Sequence, residues 1–351
     1  MTDKFKIGNR IIGKDSPVFI IAEMSGNHNH DYARAVKIVD AAAEAGADAI
    51  KLQTYTPDTM TIDSDEDWFK VKTDNLWRGK TLYDLYRWAS TPWEWHSKLK
   101  KYAEKKGLIF FSTPFDETAV DFLEDLGVGL YKVASFELTD VALLKKIAKT
   151  RKPIIISRGL ASREEIGLAV RTLKSGGAPS VAVLHCVSSY PATAEQMNLA
   201  TIPDLAKRFK VIPGLSDHSL GTISSVSGVA LGAKIIEKHL TLKRSEGGPD
   251  AEFSLEPAEF KELVGSIRQV EKAIGRPNYE LTPREKQNIV FRRSLFVVED
   301  IKKGQAFSAK NIRCIRPGYG LAPKHLARVI GQHSKSVIKR GTPLSWKHVA
   351  K

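Results

Sequence analysis

The chain alternates between short apolar runs and longer stretches in which apolar residues recur at helical spacing. Eight runs in the first 240 residues have the pattern of strands buried on both faces: VFIIAE (18–23), AIKLQ (49–53), LIFFST (108–113), LYKVAS (130–135), PIIISRG (153–159), VAVLHC (181–186), VIPGLSDH (211–218) and KIIEKHL (234–240). Helices are predicted between them at 32–45, at 93–106, after the capping box Ser162-x-x-Glu165, and at 221–232. Eightfold alternation of strand and helix predicts an α/β protein with a (β/α)8 barrel. A doubly wound open sheet is the alternative, but no Gly-x-Gly-x-x-Gly motif supports it.

After the last predicted strand the pattern changes twice. Residues 257–274 have the pattern of a long amphipathic helix with Pro257 in its first turn. The polar stretch GRPNYELTPREKQN (275–288) then interrupts the helical pattern. We therefore predict a barrel domain over 1–280, a linker over 281–292 and a small β-rich domain over 293–351, near the lower size limit for independent folding.

One connection, over residues 54–107, is longer than the others. Connections of this length in barrels are typical of a lid or a substrate contact. Its aromatic residues Trp77, Tyr83, Tyr86 and Trp88 fit stacking on a sugar, and they fit equally well a small core of the connection itself.

Composition and charge narrow the class of protein. Of the net charge of +14, residues 291–351 carry +12, because they hold 14 Lys or Arg and 2 Asp or Glu. Such a segment suits an anionic partner, but no zinc-finger, RNA-recognition or helix-turn-helix pattern accompanies it, so we expect no nucleic-acid binding. The first residues have no signal-peptide core, no run is long enough to span a bilayer, and Cys186 and Cys314 form no disulfide framework. We expect a cytoplasmic protein without membrane contact.

Polar residues stand at or just after the ends of the eight runs, where barrel enzymes build their active sites. They are Glu23, Lys51, Gln53, Thr113, Lys132, Ser135, Ser157, His185, Ser188, Ser216, His218, Glu237 and His239. Loop polarity or helix capping alone would explain the serines and the threonine. It does not explain Lys51 and Lys132, since an unpaired ammonium group is costly inside a buried strand. The pattern therefore favours an enzyme.

Two histidines, His218 and His239, end consecutive strands, which lie about 4.8 Å apart in a barrel. With Glu23 they form a donor set that suits a divalent ion such as Mn²⁺, Co²⁺ or Zn²⁺ and leaves positions open for water and substrate. The alternative for His218 is a core histidine that has found a hydrogen-bond partner. The lysines and hydroxyl groups nearby fit a phosphate, a carboxylate, or an acid that carries both.

Several motifs together resemble the sialic acid synthase family. They are IAEMSGNHN (21–29), KLQTYTPDTMT (51–61), STPFD (112–116), KVASFE (132–137), GLSDHSLG (214–221), IEKHLTL (236–242) and GGPDAEFSLEP (247–257). The tail, with FRRSLFV, DIKKGQAF, IRPGYGL and GTPL, resembles the family's C-terminal antifreeze-like (SAF) domain. Within the family, SGNHN, TPWEWH (91–96) and KLQTYTPDTMT resemble the pseudaminic acid synthases more than the N-acetylneuraminate and legionaminate synthases.

The resemblance implies a transferase that condenses phosphoenolpyruvate with 2,4-diacetamido-2,4,6-trideoxy-L-altrose. The C–O bond of phosphoenolpyruvate breaks, water adds at C2, and the products are phosphate and a nine-carbon acid that decorates bacterial surface glycans and flagellins. An N-acetylated mannose-type sugar is the alternative substrate. The rival interpretations are a metal aldolase or a synthase for a phosphorylated sugar, and a binding module whose tail grips ice, polysaccharide or nucleic acid.

The resemblance also implies roles for single residues. His218 and His239 match the metal ligands, with Mn²⁺ expected and Mg²⁺ or Co²⁺ as alternatives, and Glu23 matches the catalytic glutamate. The matches to phosphoenolpyruvate contacts are Lys51, Thr113, Lys132, Ser135, Ser157, Ser188 (where the family often carries Asn) and Ser216. The matches to sugar or metal-water contacts are Gln53, Glu137, Tyr190 and Asp250. Arg316 matches an arginine that the tail delivers into the other subunit's barrel, which implies a domain-swapped homodimer.

Overall fold

The first unit of the chain is a closed barrel. The computed structural model describes residues 4–8, 10–13, 15–72 and 77–350, and they divide into two compact units, Met1–Gly275 and Arg276–Lys351. An antiparallel pair, β1 (Lys4–Ile7) and β2 (Arg10–Gly13), comes first. Eight parallel strands then follow one another around the barrel, and the last pairs with the first. They are β3 (Phe19–Glu23), β4 (Ala49–Thr54), β5 (Ile109–Pro114), β6 (Tyr131–Val133), β7 (Ile154–Ser157), β8 (Val181–Cys186), β9 (Ile212–Asp217) and β10 (Ile235–His239).

The predicted (β/α)8 barrel is confirmed, and each of the eight apolar runs coincides with one barrel strand to within two residues at either end. The helices of this unit are α1 (Tyr32–Ala45), α2 (Pro57–Met60), α3 (Leu82–Ala89), α4 (Trp93–Lys105), α5 (Glu117–Asp125), α6 (Val141–Lys149), α7 (Arg163–Ser175), α8 (Thr201–Phe209), α9 (Ile223–Ala230) and α10 (Pro257–Ile274). The capping box of Ser162 and Glu165 begins α7 as predicted. Among the described residues, no helix combines the length and apolar composition that crossing a membrane requires.

The inside of the barrel is apolar at one end and polar at the other. Because side chains alternate between the two faces of a strand, every second residue points inward. In β3 the inward series is Phe19, Ile21 and then Glu23, and the first two pack with Phe5 and Ile12 of the β1–β2 pair in one buried cluster. The other strands repeat this order, so their polar residues gather at the carboxyl end of the barrel, where barrel enzymes carry their active sites.

The long connection between β4 and β5 is a folded excursion, which we define as residues 54–107. It contains α2 and α3 ahead of α4, while residues 73–76 of the predicted excursion lie outside the described residues. The Tyr83 hydroxyl donates to Asp58 Oδ1 at 3.1 Å and ties α3 to α2. Trp93 Nε1 donates to the Tyr55 carbonyl at 3.1 Å and ties the start of α4 to the end of β4.

The second unit is a small β-rich fold with its own core. Its elements are α11 (Pro283–Gln287), β11 (Ser294–Val297), β12 (Ile312–Ile315) and α12 (Leu326–Val329), and β11 pairs antiparallel with β12. The core consists of Leu295, Val297, Ile301, Phe307, Ile312, Val329, Ile338, Leu344 and Val349. The units divide between residues 275 and 276, whereas we predicted a linker over 281–292. That stretch contains α11, which begins with a capping box of Thr282 and Glu285.

Candidate active site

The polar end of the barrel opens into a cavity of about 480 Å³. Most of the predicted site residues line it, from seven strands and the loops that follow them: Lys51, Gln53, Thr113, Lys132, Ser135, Glu137, Ser157, Ser188, Tyr190, Ser216, His218, His239 and Asp250. Glu23 is fully buried, and its Oε2 lies 2.5 Å from the Nζ of Lys51. The structure thus brings together every site residue predicted in the first unit, while their roles stay predictions.

Lys51, Lys132 and Glu237 form the floor of this cavity, and Glu23 contacts Lys51. Lys51 Nζ lies 2.5 Å from Glu23 Oε2 and 3.6 Å from Glu237 Oε1. Lys132 Nζ lies 3.7 Å from the same oxygen of Glu237, and Ser216 Oγ donates to it at 3.3 Å. None of the four charged side chains is more than 4% exposed. The two buried ammonium groups are therefore tolerated because each faces a carboxylate.

Burial and charge pairing decide which of these groups is ionised. Burial raises the pKa of Glu23 to about 7, although Lys51 opposes the shift. Burial would also raise the pKa of Glu237, but Lys132 and Lys51 outweigh it and the pKa is lowered. Burial would lower the pKa of Lys51, but Glu23 and Glu237 outweigh burial and the pKa is raised. At Lys132 burial outweighs the attraction of Glu237, and the pKa is lowered. Glu237 therefore stays charged, while Glu23 is poised to exchange a proton near neutral pH.

Hydroxyl groups surround the two lysines. Lys51 Nζ donates to Thr113 Oγ1 at 3.0 Å, and the hydroxyl oxygens of Ser135 and Ser188 lie 3.0 Å apart. Ser157 Oγ is buried and has no hydrogen-bond partner in the part of the chain that the structure describes. Because a buried polar atom without a partner is costly, we expect the Ser157 hydroxyl to donate a hydrogen bond to an oxygen atom of the ligand. Ammonium and hydroxyl donors around one point are an arrangement that binds phosphate or carboxylate.

Two imidazole rings, those of His218 and His239, lie side by side with their centroids 5.4 Å apart. His218 Nδ1 lies 3.0 Å from the Val187 carbonyl. A carbonyl only accepts, so Nδ1 carries a proton, and in the neutral imidazole Nε2 is the nitrogen with the free lone pair. His239 Nδ1 lies 3.7 Å from Asp250 Oδ2. Burial, with His218 and the neighbouring lysines, holds the pKa of His239 well below its ordinary value, which favours the neutral form that binds metals.

A divalent ion fits this pair of rings. Ligating imidazole nitrogens lie about 2.1 Å from an ion, and the ring separation of 5.4 Å allows both rings to reach one. Among the described residues, no group of three or more His, Cys, Asp or Glu side chains is arranged to hold a metal ion. The protein would therefore supply two imidazoles and leave the other positions to water and substrate. Glu23, which we grouped with the histidines from the sequence, is engaged by Lys51 instead.

The predicted sugar contacts lie beside the imidazoles. The Tyr190 ring centroid is 4.5 Å from that of His218. Asp250 Oδ2 accepts a hydrogen bond from the Ser25 hydroxyl, and burial raises the pKa of Asp250. Burial also raises the pKa of Glu137 to about 7. In its neutral form this carboxyl group can donate to a sugar oxygen as well as accept from a sugar hydroxyl.

Three residues of the site carried no predicted role. In the sequence, Glu237 was noted only as a polar residue near the end of a strand, yet in the structure it faces both Lys51 and Lys132. The Ser25 backbone N–H donates to Glu23 Oε1 at 3.0 Å, and Cys186 Sγ lies 3.8 Å from His218 Nδ1. The sequence did contain a signal for Glu237, because two inward lysines require two carboxylates and Glu23 supplies one.

An ion pair on the outer face of the barrel holds the two strand ends that carry the histidines. Asp217 and Lys238 each directly precede a histidine of the pair, are fully buried, and place Oδ2 3.1 Å from Nζ. Asp217 also accepts from the backbone N–H and hydroxyl of Ser219 at 2.9 and 2.7 Å and from the Ser225 hydroxyl of α9 at 2.6 Å. Lys238 donates to the Ser219 carbonyl. The network links β9, β10 and α9 and so supports the imidazoles from behind.

In the second unit, Arg316 follows β12 and is exposed. Ser294 fixes its turn, because the Ser294 hydroxyl donates to the Pro317 carbonyl at 2.6 Å and accepts from the Gly320 N–H at 2.9 Å. A Cβ at position 320 would overlap the Leu295 carbonyl oxygen, so the close approach requires glycine. The turn therefore presents the guanidinium at the surface of this unit on a well-held backbone.

Known proteins resemble this chain over nearly its whole length. The NeuB family model matches residues 38–279, and the SAF domain model matches residues 292–350.

Pseudaminic acid synthase from Campylobacter jejuni subsp. jejuni serotype O:2 is 44% identical over 97% of this chain and 98% of that protein. N,N'-diacetyllegionaminic acid synthase from Legionella pneumophila subsp. pneumophila is 36% identical over 96% of each. The structure of an N-acetylneuraminic acid (sialic acid) synthetase from Leptospira borgpetersenii serovar Hardjo-bovis, in complex with citrate, matches with a TM-score of 0.73 and 36% identity over 82% of this chain and 95% of that one. The chain therefore belongs to the NeuB family and carries a SAF domain.

Proposed function

We propose that this protein is a pseudaminic acid synthase. It condenses phosphoenolpyruvate with 2,4-diacetamido-2,4,6-trideoxy-L-altrose and releases pseudaminic acid and phosphate. The observation that carries the proposal is the cavity itself, where two lysines and a set of hydroxyl donors converge next to two imidazoles, in a chain 44% identical to a pseudaminic acid synthase.

The floor of the cavity binds phosphoenolpyruvate. Lys51 and Lys132 lie 3.6 and 3.7 Å from the same oxygen of Glu237, and the Ser157 hydroxyl has no hydrogen-bond partner among the described residues. The phosphate and carboxylate groups of the substrate are met by these ammonium and hydroxyl donors. Glu237 remains between the lysines and keeps their charge compensated before substrate arrives.

Glu23 handles the proton of the attacking water. Addition of water at C2 and cleavage of the C–O bond require a group that removes a proton from that water. With its pKa raised to about 7, Glu23 accepts a proton readily at neutral pH. Until it accepts that proton, the Glu23 carboxylate is stabilised by the Lys51 ammonium group, whose Nζ lies 2.5 Å from Oε2.

His218 and His239 hold a divalent ion, with Mn²⁺ proposed and Mg²⁺ or Co²⁺ as alternatives. Such an ion, when bound, polarises the sugar aldehyde as a Lewis acid. The Val187 carbonyl fixes the His218 tautomer, and the Asp217–Lys238 pair holds both strand ends in place. Tyr190, next to His218, positions the sugar beside the two rings.

The active unit is a homodimer in which Arg316 of one subunit serves the barrel of the other. The exposed guanidinium on its fixed turn supports this arrangement. The charge of +12 on residues 291–351 would attract the anionic substrate. We place the enzyme in the cytoplasm and its product on surface glycans such as those of flagellin.

A second candidate is an N-acetylneuraminate or legionaminate synthase, which would use an N-acetylated mannose-type sugar. The chain is 36% identical to a legionaminic acid synthase and 44% identical to a pseudaminic acid synthase, so the comparison favours pseudaminic acid as the product. A synthase for a phosphorylated sugar would need additional cations. In the described part of the first unit, the Lys and Arg residues that line the cavity are Lys51 and Lys132, and both face floor carboxylates.

A product assay separates these candidates. The protein, with Mn²⁺ and phosphoenolpyruvate, is offered the altrose derivative, N-acetylmannosamine and the legionaminate precursor in turn, and the products are identified by mass spectrometry. We expect pseudaminic acid and an equal amount of phosphate from the first sugar, and no product from a Lys132→Met control. A preference for another sugar, or no product from any unphosphorylated acetamido sugar, contradicts the proposal.

A further inference from the structure

A segment of three residues at the end of β7 borders the hydroxyl groups of the cavity: Ser157, Arg158 and Gly159. The Ser157 hydroxyl is buried in the cavity and has no partner in the described ranges of the chain. Gly159 packs directly against the two paired serines, since a Cβ at this position would overlap the side chains of Ser135 and Ser188. Three proposed contacts of phosphoenolpyruvate therefore meet at this segment, while the proposed function gives Arg158 no role.

The guanidinium of Arg158 lies against the imidazole of His185 on β8. Nε and Nη2 of Arg158 lie 3.0 and 2.9 Å from Nδ1 of His185. A guanidinium has only donors, so Nδ1 accepts both hydrogen bonds. At the other side of the ring, Nε2 of His185 donates to the Met197 carbonyl, which can only accept. The two contacts together require a neutral ring that carries its proton on Nε2.

The surroundings of His185 keep its ring neutral. The side chain is fully buried, and burial lowers the pKa of His185 to about 4, although the hydrogen bond to Met197 opposes the shift. Arg158 adds to the lowering. Near neutral pH the ring therefore remains an acceptor for the guanidinium.

His185 joins the two backbone segments that carry the serines. Arg158 belongs to the segment after β7, and Met197 belongs to the loop after β8, which also contains Ser188. The backbone N–H of Arg158 donates to the Leu184 carbonyl at 3.0 Å and so ties the same two strand ends together. One imidazole thus fixes the backbone next to both groups of hydroxyl donors.

We propose that Arg158 and His185 are positioning residues for phosphoenolpyruvate, an inference that rests on the site proposed for this substrate. In the part of the chain that the structure describes, neither side chain lines the cavity. The pair therefore acts through the backbone at Gly159 and through the loop after β8, and it holds the three serine hydroxyls at the spacing that the phosphorylated acid needs. Binding groups that lose such support shift by fractions of an ångström and lose affinity.

The experiment measures the Kd of phosphoenolpyruvate by calorimetry on the Mn²⁺-loaded protein, and the KM of each substrate by phosphate release. Arg158→Met removes the donors but keeps a side chain of similar length. We expect its Kd and KM for phosphoenolpyruvate to rise about 10-fold or more, while the KM for the sugar and the affinity for Mn²⁺ stay within about twofold. Arg158→Lys keeps the charge but cannot direct two N–H groups at one nitrogen, so it should recover only part of the loss.

A double-variant cycle tests whether Arg158 acts through the ring. His185→Leu should weaken phosphoenolpyruvate binding at least as much as Arg158→Met, and the double variant should bind no more weakly than His185→Leu alone. Thermal unfolding checks that each variant is folded at the assay temperature. Since Arg158 is only partly buried, its variants decide the question even where His185→Leu does not fold. The matched control is Arg171→Met, exposed on α7, which should bind phosphoenolpyruvate as the wild type does.

Four results would overturn the inference and leave the proposed function standing. They are an unchanged phosphoenolpyruvate affinity in Arg158→Met, equal losses for phosphoenolpyruvate, sugar and Mn²⁺, full recovery in Arg158→Lys, and multiplied losses in the double variant. A wild type that binds phosphoenolpyruvate but releases no phosphate with any acetamido sugar contradicts the proposed function alone. A wild type that binds no phosphoenolpyruvate overturns both.

Discussion

At the scale of single residues, the surroundings of a side chain decide its chemistry. Glu23 and Glu237 both face Lys51, yet burial raises the pKa of Glu23 to about 7 while the lysines lower that of Glu237. Two neighbouring carboxyl groups thereby differ in pKa, which suits Glu237 to stay a fixed charge and Glu23 to the proposed role of proton acceptor. The residue types were readable from the strand ends, but these shifts were not, because they depend on which charges lie within a few ångströms.

The Glu23→Gln variant tests the role of this residue. Because the pKa of Glu23 is raised to about 7, the wild-type kcat/KM should fall as the pH drops below that value and the carboxylate is protonated. The variant should lose about 100-fold or more in kcat and should lack this acidic limb. A pH–rate profile checks the expectation, with the exposed Glu44→Gln as the control. A full acidic limb in the Gln variant would assign it to another group.

At the scale of elements, strand alternation predicts more of the site than any single motif. Each barrel strand was recognisable as an apolar run, and inward polar residues at the strand ends predicted the cavity lining. Which residues of neighbouring strands lie opposite each other was not predictable, because this depends on register. The register that sets Lys238 opposite Asp217 creates the buried ion pair, and the same register sets Glu237 opposite Ser216.

The Lys238→Met variant should lose about 3 kcal/mol of unfolding free energy, because Asp217 is left as a buried charge without its cation. It should also bind Mn²⁺ more weakly, since the Ser219 carbonyl next to His218 loses its donor. Chemical unfolding and metal titration measure the two effects. In the double variant Asp217→Asn, Lys238→Met the loss should be smaller than the sum of the two single losses. Additive losses, or single variants as stable as the wild type, would show that the pair does not couple the strands.

At the scale of the whole molecule, the distribution of charge along the sequence distinguishes the tail from the barrel. The second unit forms its own apolar core around β11 and β12, as the change of pattern near residue 290 indicated. The polar stretch that resembled a linker also contains the capping signals of α11. The role of the excursion was also open in the sequence, since aromatic spacing fits a core and a cavity wall equally.

The proposed homodimer predicts complementation between two inactive variants. Arg316→Ala and Glu23→Ala should each lose turnover while remaining folded. Mixed and allowed to exchange subunits, they should regain up to about a quarter of wild-type activity, because half of the dimers are mixed and each carries one intact site. Phosphate release measures the recovery, with the neighbouring exposed Arg313→Ala as a control that keeps its activity alone. No recovery despite subunit exchange would place Arg316 at the barrel of its own chain, and full activity of Arg316→Ala alone would place it outside the reaction.

The most direct test is a crystal structure of the protein with Mn²⁺ and phosphoenolpyruvate, in which anomalous scattering locates the metal. We predict a single manganese peak within bonding distance of one nitrogen each of His218 and His239, with the phosphorylated acid on Lys51 and Lys132, and no such peak in a His239→Ala crystal. A metal bound elsewhere, or phosphoenolpyruvate away from the two lysines, would contradict the account.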